Sequence, residues 1–556
     1  MNTTPEPTHN PASIVRAPRV SIALFFAASA IFWICKLWPV FPRNTPLDAA
    51  IVVGVYASVY GICSGLALYV LWRLIDRILG ITGKFERLQK SLLCRPNGKP
   101  NLFAKLISSL PVFAILGTTS AAYLQSSPET TSSLRLEFTD QESPLRIQLI
   151  GIDGADFRHI DRMIEAGELQ NFLRFKNGGT FGPLETISPH SPVVWTSIAT
   201  GRAPRAHGIH QYRSSYFIGT GVAIPQGEDD LLGRALDGFG FRVEGAVSSN
   251  ERRVRAVWEI LSEFDKPSLV VNWWASYPAE AIRGEMISNH LVPWSGFQTE
   301  TLSNQNNTSG LTSPESLTPL LLERLNEYVE AHELENIERD AFTVAGYQYY
   351  KARDELVFEI YADRLTNAPH EFSLATVYLQ GVDTASHAYT TEVFGENVNE
   401  QRAKRLSDAE SSALWDRLVA GAYRAMDQRI GQLLDASQQN DVIILVSDHG
   451  WDYDGTSHWN KPDGIFMALG GPFNAGHATR AHVFDVLPTI ASLLGLPISK
   501  ELNGRVLRGT LAPKWANKHP QVMIESYGPR GSVIAVTPTS TEESHVDRLR
   551  DLGYVE

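Results

Sequence analysis

Three apolar runs in this chain each lead straight into an acid, and that pattern limits the fold more than any other feature. They are IQLIGID ending at Asp153, LATVYLQGVD ending at Asp383, and VIILVSD ending at Asp448. Runs that are apolar on both faces and rich in β-branched residues read as strands buried on both sides. Helically spaced stretches such as HIDRMIEAGELQNFLRFKNGG (159–179) separate them. The pattern predicts an α/β fold, with a mostly parallel central sheet and helices on both faces. SLVVNWW (268–274) reads as a further strand, and VFDVLPTIASLLGLP as a closing helix on the sheet.

In open sheets of this kind, functional groups gather beyond the carboxyl ends of the strands. Asp153, Asp383, His387, Asp448 and His449 fall there, and His458 precedes the strand-like GIFMALG. Carboxylate oxygens and imidazole nitrogens are the donors that suit zinc and similar divalent ions. Six of them suffice for a two-metal site, which clamps the entering and leaving oxygens of a displacement at phosphorus. Each element alone has a plainer reading. Asp448-His449 is also a common surface pair, Asp383 and His387 a helix cap with a core histidine, and Asp153 between Gly151 and Gly154 a turn former. Their joint placement favours metal. His477 and His482 compete with His458, which directly precedes an apolar run.

The hydroxyls of SPHSPVVWTSIATG are the candidate nucleophiles: Ser188, Ser191, Thr196, Ser197 and Thr200. Pro192 favours a helix start, so Ser191 is expected as the cap of VVWTSIAT. A helix start also attracts phosphate. The competing reading is an ordinary capping serine, and Thr196 is the alternative nucleophile. Trp273, Trp274 and Tyr277 are candidates for stacking on substrate, or core aromatics; His190, His207 and His210 lie near the site by sequence.

The chain also divides by charge. Residues 1–125 hold 12 Lys/Arg against 4 Asp/Glu, a net of +8, whereas the whole chain carries −12, which leaves −20 for residues 126–556. Such acidity argues against a nucleic-acid-binding domain. Three segments, 21–41, 49–72 and 106–124, each reach the ~20 apolar residues that cross a bilayer. The loop 73–105 between the second and third holds eight Lys/Arg against Asp76 and Glu86. With Arg16 and Arg19 ahead of the first segment, the basic residues predict a multi-pass anchor in the cell membrane. The lipid bilayer is then a partner and the large domain is extracytoplasmic. Residues 126–144 read as a linker and 145–556 as the catalytic domain, with a cap-like insertion around 300–345. Cys35, Cys63 and Cys94 all precede that domain, so it has neither a disulfide nor a thiolate zinc ligand.

In order along the chain come Asp153, a hydroxyl ahead of ATGRAPRAHGI, GVDTASH, VSDHG and a lone His458. This series resembles the alkaline phosphatase superfamily, most closely its type I phosphodiesterase/nucleotide pyrophosphatase branch, over about 145–500. The resemblance implies two zinc ions and a phosphoester substrate. Asp153, Asp448 and His449 would hold one ion beside the nucleophile, and Asp383, His387 and His458 the other. It places the nucleophile at Ser191, where the branch usually has Thr. The Asn that often follows H-G-I and contacts a phosphoryl oxygen is replaced here by Tyr212, with Gln211 beside it. A transferase that passes the phosphoryl group to a lipid or glycan alcohol is the nearest rival. A non-catalytic membrane protein that keeps the fold is another.

Overall fold

A computed structural model of the protein describes residues 143–217, 223–224, 242–292, 308–334, 343–369, 371–395, 406–452 and 457–531. The expected membrane segments 21–41, 49–72 and 106–124 lie outside these residues, as does most of the expected linker. Among the described residues, no helix is long and apolar enough to cross a membrane. Nearly all of the described residues belong to one compact unit, drawn from Glu137–Ser215 and Val243–Glu556, and the few described in 216–242 are assigned to a second. The central sheet belongs to the larger unit.

That unit begins with β1 (Arg146–Ile152), α1 (Phe157–Glu165), α2 (Gln170–Gly178), β2 (Thr180–Glu185) and α3 (Ser191–Thr200). Next come α4 (Val257–Glu263), β3 (Ser268–Val271), β4 (Gly284–Ile287), β5 (Thr312–Ser313), α5 (Leu317–Ala331) and α6 (Val344–Asn367). β6 (Leu374–Leu379), α7 (Gly381–Phe394), α8 (Gly421–Ala436), β7 (Asp441–Val446) and β8 (Gly464–Gly470) follow. β9 (His477–Ala478), β10 (Ala481–His482) and α9 (Val486–Leu493) complete the scaffold.

The sheet runs β9-β2-β8-β7-β1-β6-β3-β4-β5, with β10 also paired to β2. Its centre, β7-β1-β6-β3-β4, is parallel throughout. β8 and β5 border that centre as antiparallel neighbours. β3 and β6 are buried at every position, as central parallel strands must be when both faces are covered. Two neighbours of β1 show the two layers. Gly151 lies against the Trp195 ring of α3, while Gln148, of opposite parity, accepts a hydrogen bond from Tyr361 of α6. The mostly parallel α/β architecture is therefore as expected.

Several local details differ from expectation. The helical stretch 159–179 is two helices, because Gly167 adopts a left-handed φ of 80° and the chain turns there. The strand expected over 268–274 stops at Val271. Asn272 turns at φ 57°, and its amide donates to the Tyr378 carbonyl while its side-chain oxygen accepts from Arg353. Within 300–345, β5 joins the edge of the main sheet, and α5 follows it. Trp273, Trp274 and Tyr277 are buried in the core. Trp273 packs edge-on against Trp195, at 5.2 Å between ring centroids.

Candidate metal centre

β1, β6 and β7 are adjacent and parallel, so the residues just past their ends converge. His449 Nε2 lies 3.2 Å from Asp153 Oδ1, 3.5 Å from Asp448 Oδ2 and 3.9 Å from Asp383 Oδ1. One turn of α7 brings His387 Nε2 to 3.6 Å from Asp383 Oδ2. His458 Nε2 faces His387 Nε2 at 3.2 Å, and its ring stacks on His449 at 4.1 Å. All six expected ligand residues thus share one buried cluster. Two sets of donor atoms within it lie inside 4.8 Å of one another: Asp153, Asp448 and His449, and Asp383, His449 and His458. The grouping differs slightly from the expected one, since His449 reaches both sets and His387 joins the second through Asp383 and His458.

The donor set fits divalent cations. Both oxygens of Asp448 are buried and accept no hydrogen bond, and His458 Nδ1 is also buried without a partner. Buried polar atoms are rarely left this way unless something else satisfies them. Burial, and repulsion from His449, push His387 down to about 3, and the same causes hold His458 well below the ordinary range. Both imidazoles are therefore neutral, the form that ligates. Burial opposes charge on His449, but Asp448, Asp153 and Asp383 outweigh it and raise His449 to about 10. Three carboxylates this close repel one another, and burial with the charge of Asp153 pushes the Asp448 carboxyl well above its ordinary range, a cost that a bound cation would relieve.

The surrounding residues fix this cluster. Tyr378 donates to Asp153 Oδ2, and so does Trp195 Nε1 at 3.3 Å. Ser447 ties two loops together: its hydroxyl accepts from Ala155 N–H at 2.9 Å and donates to the His449 carbonyl at 2.8 Å. Asp156 caps α1 and accepts from Trp451 N–H, which joins the same two loops again. The Asp354 carboxylate of α6 accepts from Gln380 and Gly381 N–H and so holds the first turn of α7. Gly154 is more than a turn former. It sits at φ 70°, and a Cβ there would lie 2.9 Å from the Asp383 Cα. None of these partners carries a motif, and only the glycine flanking Asp153 gave a sequence signal.

Ser191 is the first residue of α3 rather than its cap. His190 caps the helix, because its carbonyl already accepts from Val193 and Val194 N–H. Val193 N–H is thus engaged and is not a free donor for a substrate oxygen. Ser191 and Trp195 are four residues apart and share a helix face, and Trp195 reaches Asp153. Ser191 N–H donates to the Tyr212 hydroxyl at 3.1 Å, which in turn lies 3.4 Å from Ser191 Oγ. Burial, with the charges of Asp153 and Asp383, pushes the Tyr212 phenol well above its usual range. Thr196 is buried deeper along α3, and its hydroxyl has no hydrogen-bond partner. Ser197 is bonded to the Val193 carbonyl and to His207, which is core. His190 packs edge-on against Tyr212 and against Trp459, the residue after His458. His477 lies in β9 at the sheet edge, and His482 caps the short helix Val483–Asp485.

A profile of the type I phosphodiesterase / nucleotide pyrophosphatase family matches residues 148–453, more than half of the chain. No curated protein sequence matches. Solved structures with a related shape include a putative sulfatase from Bacteroides thetaiotaomicron, at 12% identity and TM-score 0.41, covering 66% of this chain and 74% of that one. A phosphonate monoester hydrolase from Silicibacter pomeroyi aligns at 12% identity and TM-score 0.39, over 66% of this chain and 76% of that one. Murine ectonucleotide pyrophosphatase/phosphodiesterase 5 aligns at 10% identity and TM-score 0.37, over 66% of this chain and all of that one.

Proposed function

The chain belongs to the type I phosphodiesterase / nucleotide pyrophosphatase family, and from that premise we propose that it is a two-zinc phosphodiester hydrolase with Ser191 as nucleophile. The observation that carries this reading is the buried Asp/His cluster with Ser191 on the helix face that looks toward it. Asp153, Asp448 and His449 would hold one cation, and Asp383, His387 and His458 the other, with His449 between the two sets. Bound cations of this kind lower the pKa of a coordinated hydroxyl and neutralise charge on phosphoryl oxygens.

The chain's own residues then do the following. Tyr212 fixes Ser191 from two sides, at its N–H and its Oγ. With its pKa held so high, Tyr212 stays neutral and acts as a donor rather than a base. In sequence it stands where the branch often has the Asn that contacts a phosphoryl oxygen. Ser191 Oγ attacks phosphorus in line, a new O–P bond forms, and the leaving alcohol departs with the proton that Ser191 gives up. Water then cleaves the phosphoseryl bond, returning a hydroxyl to Ser191 and releasing a phosphomonoester. The N-terminal segments would anchor this domain to the membrane on its extracytoplasmic side, on the strength of their apolar length and the basic loop 73–105.

The test is hydrolysis of aryl phosphodiesters and monoesters by the full chain with zinc, with and without an acceptor alcohol. Ser191→Ala is expected to lose at least about 10³-fold in kcat and to trap no phosphoenzyme. Thr196→Ala should keep most activity. Undiminished turnover in Ser191→Ala removes Ser191 from this role, and phosphoryl transfer that exceeds hydrolysis would favour a transferase.

A further inference from the structure

At the other end of α3 from Ser191, about 15 Å along the helix axis at 1.5 Å per residue, lies a cavity of about 300 Å3. Its wall includes Arg202, Arg253 and Arg255 together with the apolar residues Ile260, Leu502 and Tyr527. Arg202 Nε is buried and meets no acceptor. A guanidinium N–H buried without a partner costs free energy that a bound oxyanion would recover.

Glu501 shows what the cavity takes. Its carboxylate lies 3.1 Å from Arg202 Nη1 and accepts from the Ser526 hydroxyl at 2.7 Å. A protein oxyanion is thus already held by a guanidinium and a hydroxyl at the rim, while Glu501 itself remains 45% exposed at its side chain. Arg255 is positioned by the Pro529 carbonyl and by Glu263, whose side chain is half exposed. Arginine matches carboxylate and phosphoryl oxygens in a planar fork. A cavity this size exceeds a bare ion, and its apolar wall suits a small organic body.

We propose that this cavity is a second binding site, separate from the metal cluster, for a small organic oxyanion that displaces Glu501 from Arg202. Binding there would clamp the 526–529 segment and the 499–503 loop onto the end of α3. The contacts that already join them are Asn503 N–H to the Gly201 carbonyl and Ala203 N–H to Asn503 Oδ1, each at 2.9 Å.

Calorimetric titration of the zinc-loaded full chain with phenylphosphonate, which has no ester to cleave, tests this. Benzoate in a parallel titration separates phosphoryl from carboxylate preference. The expected result is two classes of phenylphosphonate site, one at the metals and one in the cavity. Arg202→Ala removes the second class and spares the first. Glu501→Gln tightens it several-fold, because the competing carboxylate is gone. A wild-type protein with no class of site that Arg202→Ala removes overturns the proposal. So does a second class that Arg202→Ala leaves intact, or one that Glu501→Gln weakens. The experiment is independent of the catalytic reading, since failure of the first class alone bears on the metal cluster.

Discussion

The metal cluster has two unlike halves. Asp153, Asp448 and His449 sit at the ends of neighbouring central strands, with side chains 0–3% exposed. Tyr378, Trp195 and Ser447 hold them from behind. Asp383, His387 and His458 come from a helix turn and a loop, and the His387 side chain is 18% exposed. The first half sits on the strand scaffold and, through Trp195, adjoins the helix that carries the proposed nucleophile Ser191. In the second half Asp383 and His458 are buried too, His387 is the partly exposed member, and the 43% exposed Trp459 stacks on His458. A half backed on all sides suits the task proposed beside Ser191, and a half with one partly exposed ligand, His387, suits exchange with solvent.

The sharpest way to break this contrast is to remove one histidine from each half. His449 touches both donor sets, so His449→Ala should release both cations and lower activity by at least about 10³-fold. His387→Ala should leave the first cation in place. Metal analysis after dialysis checks both, and equal losses would dissolve the distinction. Tyr378→Phe removes a bond to Asp153 and is expected to weaken metal affinity about 10–100-fold, the usual cost of losing such a support. A zinc-binding titration against a chelator measures it, and no change would show that Asp153 needs no backing. Gly154→Ala places a methyl against Asp383 at a left-handed φ, at a cost of about 1–3 kcal/mol. Thermal unfolding should fall, with zinc lost first from the second half. Trp459→Ala is the mildest. Loss of one ring stack, worth about 0.5–1.5 kcal/mol, should weaken the second cation only slightly and leave the first unchanged.

Much of this centre is readable from the chain because strand ends are marked by abrupt chemistry. IQLIGID, LATVYLQGVD and VIILVSDH announce buried strands and their ligands in the same few residues. Parallel neighbours with a common direction bring such ends together without further instruction. His458 was harder, since only its place before β8 distinguished it from His477. The edge strand β5 gives little pattern, because a two-residue strand needs few apolar positions. β3 ends sooner than SLVVNWW suggests, because Asn272 turns on partners from β6 and α6. The sequence marks Tyr212 as the replacement for the branch's Asn, but only the fold places its hydroxyl on Ser191, 21 residues away. Ser447, Tyr378 and Asp354 act through tertiary hydrogen bonds that no local spacing encodes.

If one chain grips two cations at these three strand ends, zinc titration of the full-length protein, followed by metal analysis of wild type and Asp448→Asn, will find it. Two ions per chain are expected in the wild type, bound with unequal affinity, and Asp448→Asn should lose the tighter one. Fewer than one ion per wild-type chain, or uptake that Asp448→Asn leaves unchanged, would contradict it.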